Sequence, residues 1–413
     1  MDFSSIIRLR NGVENGRLSG TFICSLFLLT TLNVPSVFAQ SFFSTIVVEP
    51  VVGVDRGSTL NIQKLDIPTA FLTFGTYGSE DIGQLVGGLG YAYPDLLIAG
   101  DQLDFAGVVA GPSDDGRHEL LAGGVGYRVP IGDGQTYLFG GADFGDIRLG
   151  TSENLALGTL GNRASWVVGL RRSIELDQNT DLTTSFEMVR RSATGEILGT
   201  TVIDEDLRFV RLAVLYNKGA PFSFQRRFSA AVSKGFDAFG ASPPINPYSS
   251  LPGASSDFLR LSFSAEASIP LPRRLVANLG LIGQWSNDSL PLPQRCGYGT
   301  NSYSRGFDRS YVNGDQCLGT RTELAYNFEL PNPRDERTKF TQGYVGVDFG
   351  WVEENPNAVI PRTTETWSSG SLGVRTLRGD FIGEISLTRI FDQPASVVPQ
   401  DRNRLWARGA IKF

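Results

Sequence analysis

The run Leu259-Arg-Leu-Ser-Phe-Ser-Ala-Glu-Ala-Ser-Ile269 decides the fold. Leu259, Leu261, Phe263, Ala265, Ala267 and Ile269 are apolar, and the residues between them, Arg260, Ser262, Ser264, Glu266 and Ser268, are polar. Successive side chains of a strand point to opposite faces, so this alternation builds a strand with one apolar and one polar face. Strands of soluble sandwiches usually run about five or six residues, whereas a tilted strand crossing a bilayer needs about 9 to 11. The length of this run points to the membrane.

Working outward, the same alternation recurs in segments of about 10 to 13 residues from Thr69 to the end. Sixteen are counted, near 69–78, 83–93, 101–110, 118–130, 135–145, 163–174, 180–191, 206–217, 225–235, 257–269, 274–286, 318–329, 340–351, 368–377, 380–391 and 403–413. The number is even, as in bacterial outer-membrane barrels. Connections after even-numbered segments are mostly short (Ile131 to Gly134, Pro270 to Arg273, Arg378-Gly379), while several after odd-numbered ones are long, near 236–256, 287–317 and 352–367. Short periplasmic turns alternating with long external loops place both ends in the periplasm. The expected fold is all-β: a transmembrane antiparallel β-barrel of about 16 strands over residues 69–413, in contact with the lipid bilayer.

The polar rows carry Arg171, Arg211, Arg260, Arg321, Glu266 and Glu323, and only 5 of the 37 basic residues are Lys. A basic side chain facing lipid near the midplane costs about 2–4 kcal/mol, so these rows line a hydrated or paired interior. Solvation in a water-filled pore would account for most of them. In the last segment Leu405, Ala407, Gly409, Ile411 and Phe413 form the apolar row. A chain-terminal Phe on such a strand resembles the signal by which the outer-membrane assembly machinery recognises its clients.

Residues 1–39 read as a secretory signal: Arg8, Arg10 and Arg17, an apolar run from Thr21 to Leu32, then Val37-Phe38-Ala39 before the cleavage point. Residues 40–68 form a short periplasmic segment. Loss of the signal removes three Arg with Asp2 and Glu14, moving the net charge from −6 to −7, which argues against a nucleic-acid partner. Cys24 leaves with the signal; Cys296 and Cys317 remain, a disulfide in an oxidising compartment or else two unpaired thiols. His118, the one histidine, lacks the neighbours of a metal site or a nucleophilic triad, and Gly87-Gly88-Leu89-Gly90 lies inside a strand rather than at a phosphate-binding turn. No enzyme, cofactor or metal is expected.

The connection after the eleventh segment says more than barrel. It contains Ser289-Leu290-Pro291, Ser304-Arg305-Gly306-Phe307-Asp308, Gly314-Asp315 and, on the next segment, Glu323-Leu324. This resembles loop six of the two-partner-secretion transporters, the haemolysin secretion/activation proteins of the ShlB/FhaC/HecB type. They share a Leu-Pro stretch, a Val-Arg-Gly-Tyr/Phe motif, a Gly-Asp and a Glu-Leu; Ser304 stands where Val is usual. Gly100-Asp101-Gln102-Leu103 and Val129-Pro130-Ile131-Gly132 are similar to further family motifs, so the resemblance covers about residues 60–413.

The resemblance implies that loop six folds into the lumen and that its Arg, here Arg305, meets an Asp on the strand after next, here Asp348. Period-two counting turns Asp348 inward on its own account. A two-pronged Arg305–Asp348 bond is therefore expected, against the alternative of Arg305 in a solvated surface loop. The implied function is export of a partner exoprotein across the outer membrane without nucleotide. A diffusion porin and a structural or adhesive barrel are the alternatives. Family members carry two periplasmic POTRA domains before the barrel, for which residues 40–68 are too few.

Overall fold

The computed structural model describes residues 68–413, apart from 77–82, 84, 113–118, 151–154, 220–224, 245, 299–302, 308–311, 329–338 and 396–399. The signal segment, the segment that follows it up to residue 67, and His118 lie outside the described residues.

Sixteen antiparallel strands close into one barrel. They are β1 (Thr69–Gly75), β2 (Leu85–Pro94), β3 (Gln102–Gly111), β4 (Leu120–Ile131), β5 (Thr136–Arg148) and β6 (Leu160–Asp177). Then come β7 (Thr180–Ile197), β8 (Thr200–Lys218), β9 (Gln225–Phe236), β10 (Leu259–Leu271) and β11 (Leu275–Ser286). The last are β12 (Gln316–Asn327), β13 (Lys339–Glu354), β14 (Thr363–Arg378), β15 (Phe381–Asp392) and β16 (Asn403–Lys412). Each pairs with its sequence neighbour, and β16 returns to β1 from Phe71↔Lys412 to Gly75↔Arg408. Closure leaves no strand edge facing lipid, where an unpaired backbone group has no water to bond.

The two rows of each strand sort as the alternation predicts. On β13 the outward Val345, Val347 and Phe349 are exposed to the lipid side, while Tyr344 and Asp348 are buried within the barrel. Tyr91, Tyr93 and Tyr326 stand outward near the periplasmic ends of their strands, where amphipathic rings favour the interface. Phe413 is exposed, with its backbone bonded to Ala70 (N–H to O, 2.8 Å) at the foot of the closing seam.

The boundaries depart from the sequence reading at β6, β7 and β8, which reach 18, 18 and 19 residues. The stretch 192–205 falls between the counted segments 180–191 and 206–217, and Ser192, Thr194 and Glu196 on its outward row are polar. It pairs as a hairpin closed at Leu198-Gly199, both left-handed (φ 52° and 70°), the two-residue turn whose twist matches its strands. A strand of 19 residues rises about 50 Å at a tilt of about 40°, twice an apolar band of about 25 Å, so the hairpin projects above the membrane. Its outward row is polar there, with Arg190 paired to Asp206 at 2.6 Å. The connection read as 352–367 likewise shrinks to 355–362, because β13 and β14 pair out to Glu354↔Thr363.

Candidate functional site

Loop six, 287–315, leaves β11 at the outer face and returns at β12. Its stem is fixed by Asp315: one carboxylate oxygen accepts the Leu290 N–H at 2.8 Å, and the other accepts the Asn355 N–H at 2.8 Å. Arg295, wholly buried, donates to Glu354 at 2.5 Å. Cys296–Tyr298 pairs with Val312–Gly314 as a small hairpin, and a disulfide joins Cys296 to Cys317 on β12 (Cα–Cα 6.5 Å). That bond closes the loop onto the barrel wall; loop-closure entropy assigns such a link about 3 kcal/mol.

From this stem the tip enters the lumen against β12–β15. Tyr303 and Phe307 pack with Val352, Trp367 and Ile390 in one buried cluster. Between them the Phe307 N–H donates to the Ser304 carbonyl at 3.2 Å, so Arg305 and Gly306 occupy the centre of a tight turn. Gly306 is required by proximity: a Cβ there would lie 2.9 Å from Ser369 Cβ and 3.0 Å from Ile390 Cγ1. Ser304 sits at φ 78°, a backbone state that strains a β-branched residue, and its hydroxyl accepts the Trp367 indole N–H. Trp367 itself lies over Gly350, where a Cβ would fall 1.8 Å from its ring.

Arg305 is 2% exposed, and its guanidinium bonds Glu323 on β12 at 2.7 Å and the Ser371 hydroxyl on β14 at 3.2 Å. Its plane rests on the Tyr344 ring, 4.9 Å from the centroid, and Arg375 rests on the same ring at 4.9 Å while reaching Glu323 at 3.3 Å. The Tyr344 hydroxyl donates to Glu384 at 2.5 Å, and Glu384 in turn accepts from Arg408 at 2.7 Å. Asp348 is held by Arg321, its cross-strand neighbour, at 3.0 Å, and accepts the backbone N–H of Arg305 at 3.1 Å. Four guanidinium groups and three carboxylates thus form one continuous network from the loop tip to the closing strand. Each charge has left water, and the hydrogen bonds supply what water gave.

This arrangement corrects the expected two-pronged Arg305–Asp348 bond. Arg305 does reach Asp348, but through its backbone; its guanidinium is divided between Glu323 and Ser371. The physical reason is register. Arg321 lies directly opposite Asp348 and occupies its carboxylate from the wall, whereas Glu323, two residues along the same inward row, faces the incoming loop. Glu323 and Arg321 were visible on polar rows in the sequence, but their partners become legible only with the pairing register. Tyr344 and Arg375 carried no sequence signal beyond inward parity, and Trp367 fell in the connection read as 352–367.

The remaining motifs have structural explanations. Asp101 accepts the N–H groups of Leu96, Leu97 and Ile98 at 2.6, 2.9 and 3.0 Å and shapes the periplasmic turn before β3. Val129-Pro130-Ile131 ends β4, and Gly132 and Gly134, both left-handed, carry the turn into β5.

The model of the haemolysin secretion/activation proteins ShlB/FhaC/HecB matches residues 32–376, a stretch that includes loop six and its partners Glu323, Asp348 and Arg375. The outer membrane transporter CdiB of Escherichia coli O6:K15:H31 is 25% identical over 182 residues, 44% of this chain and 29% of that protein. Among solved structures, CdiB from Escherichia coli superposes with TM-score 0.70 at 18% identity, covering 84% of this chain and 63% of the other. CdiB from Acinetobacter baumannii gives 0.64 at 19%, covering 84% and 60%. The likeness to these structures is one of fold, and the chain spans less than two thirds of their length. The family is one of secretion proteins that move partner exoproteins rather than of enzymes. With more than four fifths of its length matched, this chain belongs to the ShlB/FhaC/HecB haemolysin secretion/activation family, and its barrel lies in the outer membrane.

Proposed function

We propose that this chain exports a partner exoprotein across the outer membrane, with loop six as the element that fills the pore at rest. The observation that carries the reading is the buried seat of Arg305 on Glu323, which holds loop six inside the lumen rather than over it. A general porin keeps an open lumen even where a loop folds inward, which a loop that fills the pore denies. The periplasm offers no ATP, so export draws on folding of the passenger outside.

The partition of the chain that accompanies this reading is a signal over 1–39, a short periplasmic segment over 40–68, and the barrel over 69–413. Phe413 serves as the handle for the outer-membrane assembly machinery. Where a gene for a large secreted protein adjoins that of this chain, the test is co-expression of the two. Appearance of that protein in the medium with this chain, and its retention without it, supports export. Equal secretion in both cases overturns it.

A further inference from the structure

Loop six has a second anchorage, on strands other than those that seat its tip. A connection from β11 to β12 joins neighbouring strands and could rest above those two alone. This one instead lays a short 3₁₀ turn, Leu292–Gln294, between β7 and β8 on one side and β13 on the other. Leu290 enters a buried cluster with Phe209 on β8 and Phe258, and Val189 of β7 packs against it. Leu292 packs with Leu251 and Ala254 of the connection 237–258.

The turn's own bonds use the carbonyls of Pro291 and Leu292, which leaves those of Pro293 and Gln294 for other donors. Arg191 on β7, four strands from β11, is buried and donates to the Pro293 carbonyl at 2.7 Å. Arg260 on β10 donates to the Gln294 carbonyl at 3.0 Å, and Gln284 on β11 shares that acceptor at 3.0 Å. A guanidinium on a carbonyl at the end of a peptide dipole makes a charge-assisted bond, stronger than the neutral bonds around it. Immediately beyond Gln294, Arg295 meets Glu354 and Cys296 is linked to Cys317. The point at which the chain enters the lumen is set there.

We propose that Arg191 and Arg260 are positioning residues for loop six: they hold its stem as a crossbar over the outer mouth and so aim Arg305 at Glu323 on β12. Release of the tip then leaves the stem in place, and the tip returns to the same seat. The proposal rests on the reading that loop six fills the pore at rest, yet its test needs no passenger.

Single-channel currents are recorded in planar bilayers from the full chain and from Arg191→Gln with Arg260→Gln, each confirmed as a folded barrel by electrophoretic mobility. The double variant loses both charges and is expected to open about tenfold more often, the effect of losing charge-assisted bonds. Arg191→Lys with Arg260→Lys keeps a charged donor for each carbonyl and should stay within about threefold of the full chain. Ser229→Ala, lower on the same wall, should leave the frequency unchanged. An opening frequency in the double Gln variant within about threefold of the full chain's, silence in both included, overturns the positioning role. So does a rise of equal size in the Lys variant or in Ser229→Ala, and so does a lower urea midpoint with unaltered gating. Should the double Gln variant fail to fold, Arg260→Gln alone carries the test, with a rise of about threefold expected and no change overturning the role. Loss of export with this gating pattern intact sinks the export reading alone; unaltered gating with export intact sinks the positioning role alone.

Discussion

The two sides of the lumen obey the same sequence rule and put it to different uses. On β12–β16 the inward charges nearly balance, and Tyr344 and Trp367 fill the space between them, so the wall accepts loop six as a close-packed part of itself. On β6–β10 Arg171, Arg211, Arg227 and Glu187 stand among Ser, Thr, Ala and Leu215, and a cavity remains. Polar-row parity by itself does not distinguish a filled seat from an open wall. What separates them is residue volume: large aromatics between paired charges make a seat, and small hydroxyls and alanines leave a cavity.

The contrast can be broken most severely at Glu323. Glu323→Ala leaves Arg305 and Arg375 buried beside no shared acceptor and should cost about 3–5 kcal/mol of barrel stability. Ser262→Ala on the opposite wall should cost under about 0.5 kcal/mol. Urea unfolding in vesicles, followed by tryptophan fluorescence, reads both; equal losses would erase the distinction between the walls. Next in size is the stem. Cys296→Ser with Cys317→Ser should cost about 3 kcal/mol by the loop-entropy model, and intact mass before and after reductant establishes that the link exists in the native protein.

A double-mutant cycle sharpens the correction made at Asp348. Arg305→Ala with Glu323→Gln should show a coupling of about 1–3 kcal/mol, and Arg305→Ala with Asp348→Asn under about 0.5 kcal/mol, because the second contact is made by backbone that both variants retain. The reverse order would restore the fork to Asp348. Smallest is Ser304→Val, which strains the left-handed turn by about 1 kcal/mol more than Ser and loses the acceptor of Trp367. Its expected trace is a lower urea midpoint with an unchanged slope.

Most of the barrel was legible because one rule, alternation over lengths that span a bilayer, applies independently to each strand. Leu259 to Ile269 shows it without help from any other segment. The β7–β8 hairpin escaped that rule because above the membrane its outward row has no lipid to face; Asp204, Asp206 and Arg208 replace apolar residues while the backbone goes on pairing. Inward parity for Asp348 was likewise readable, and the Ser304-Arg305-Gly306-Phe307 motif marked the loop tip. The choice of Glu323 over Asp348 was not readable, since it depends on which strands sit opposite one another and at what offset. A single carboxylate on an inward row attracts any guanidinium within reach, and Arg321 reaches Asp348 first from the neighbouring strand.

The central claim, that loop six is seated in the lumen and fills it, is tested most directly by single-channel conductance of the full chain against a form with residues 299–311 replaced by a Gly-Ser linker. Small, flickering openings in the full chain and a large, steady conductance in the shortened form are predicted. A large steady conductance already present in the full chain, and unchanged by the replacement, would contradict the account.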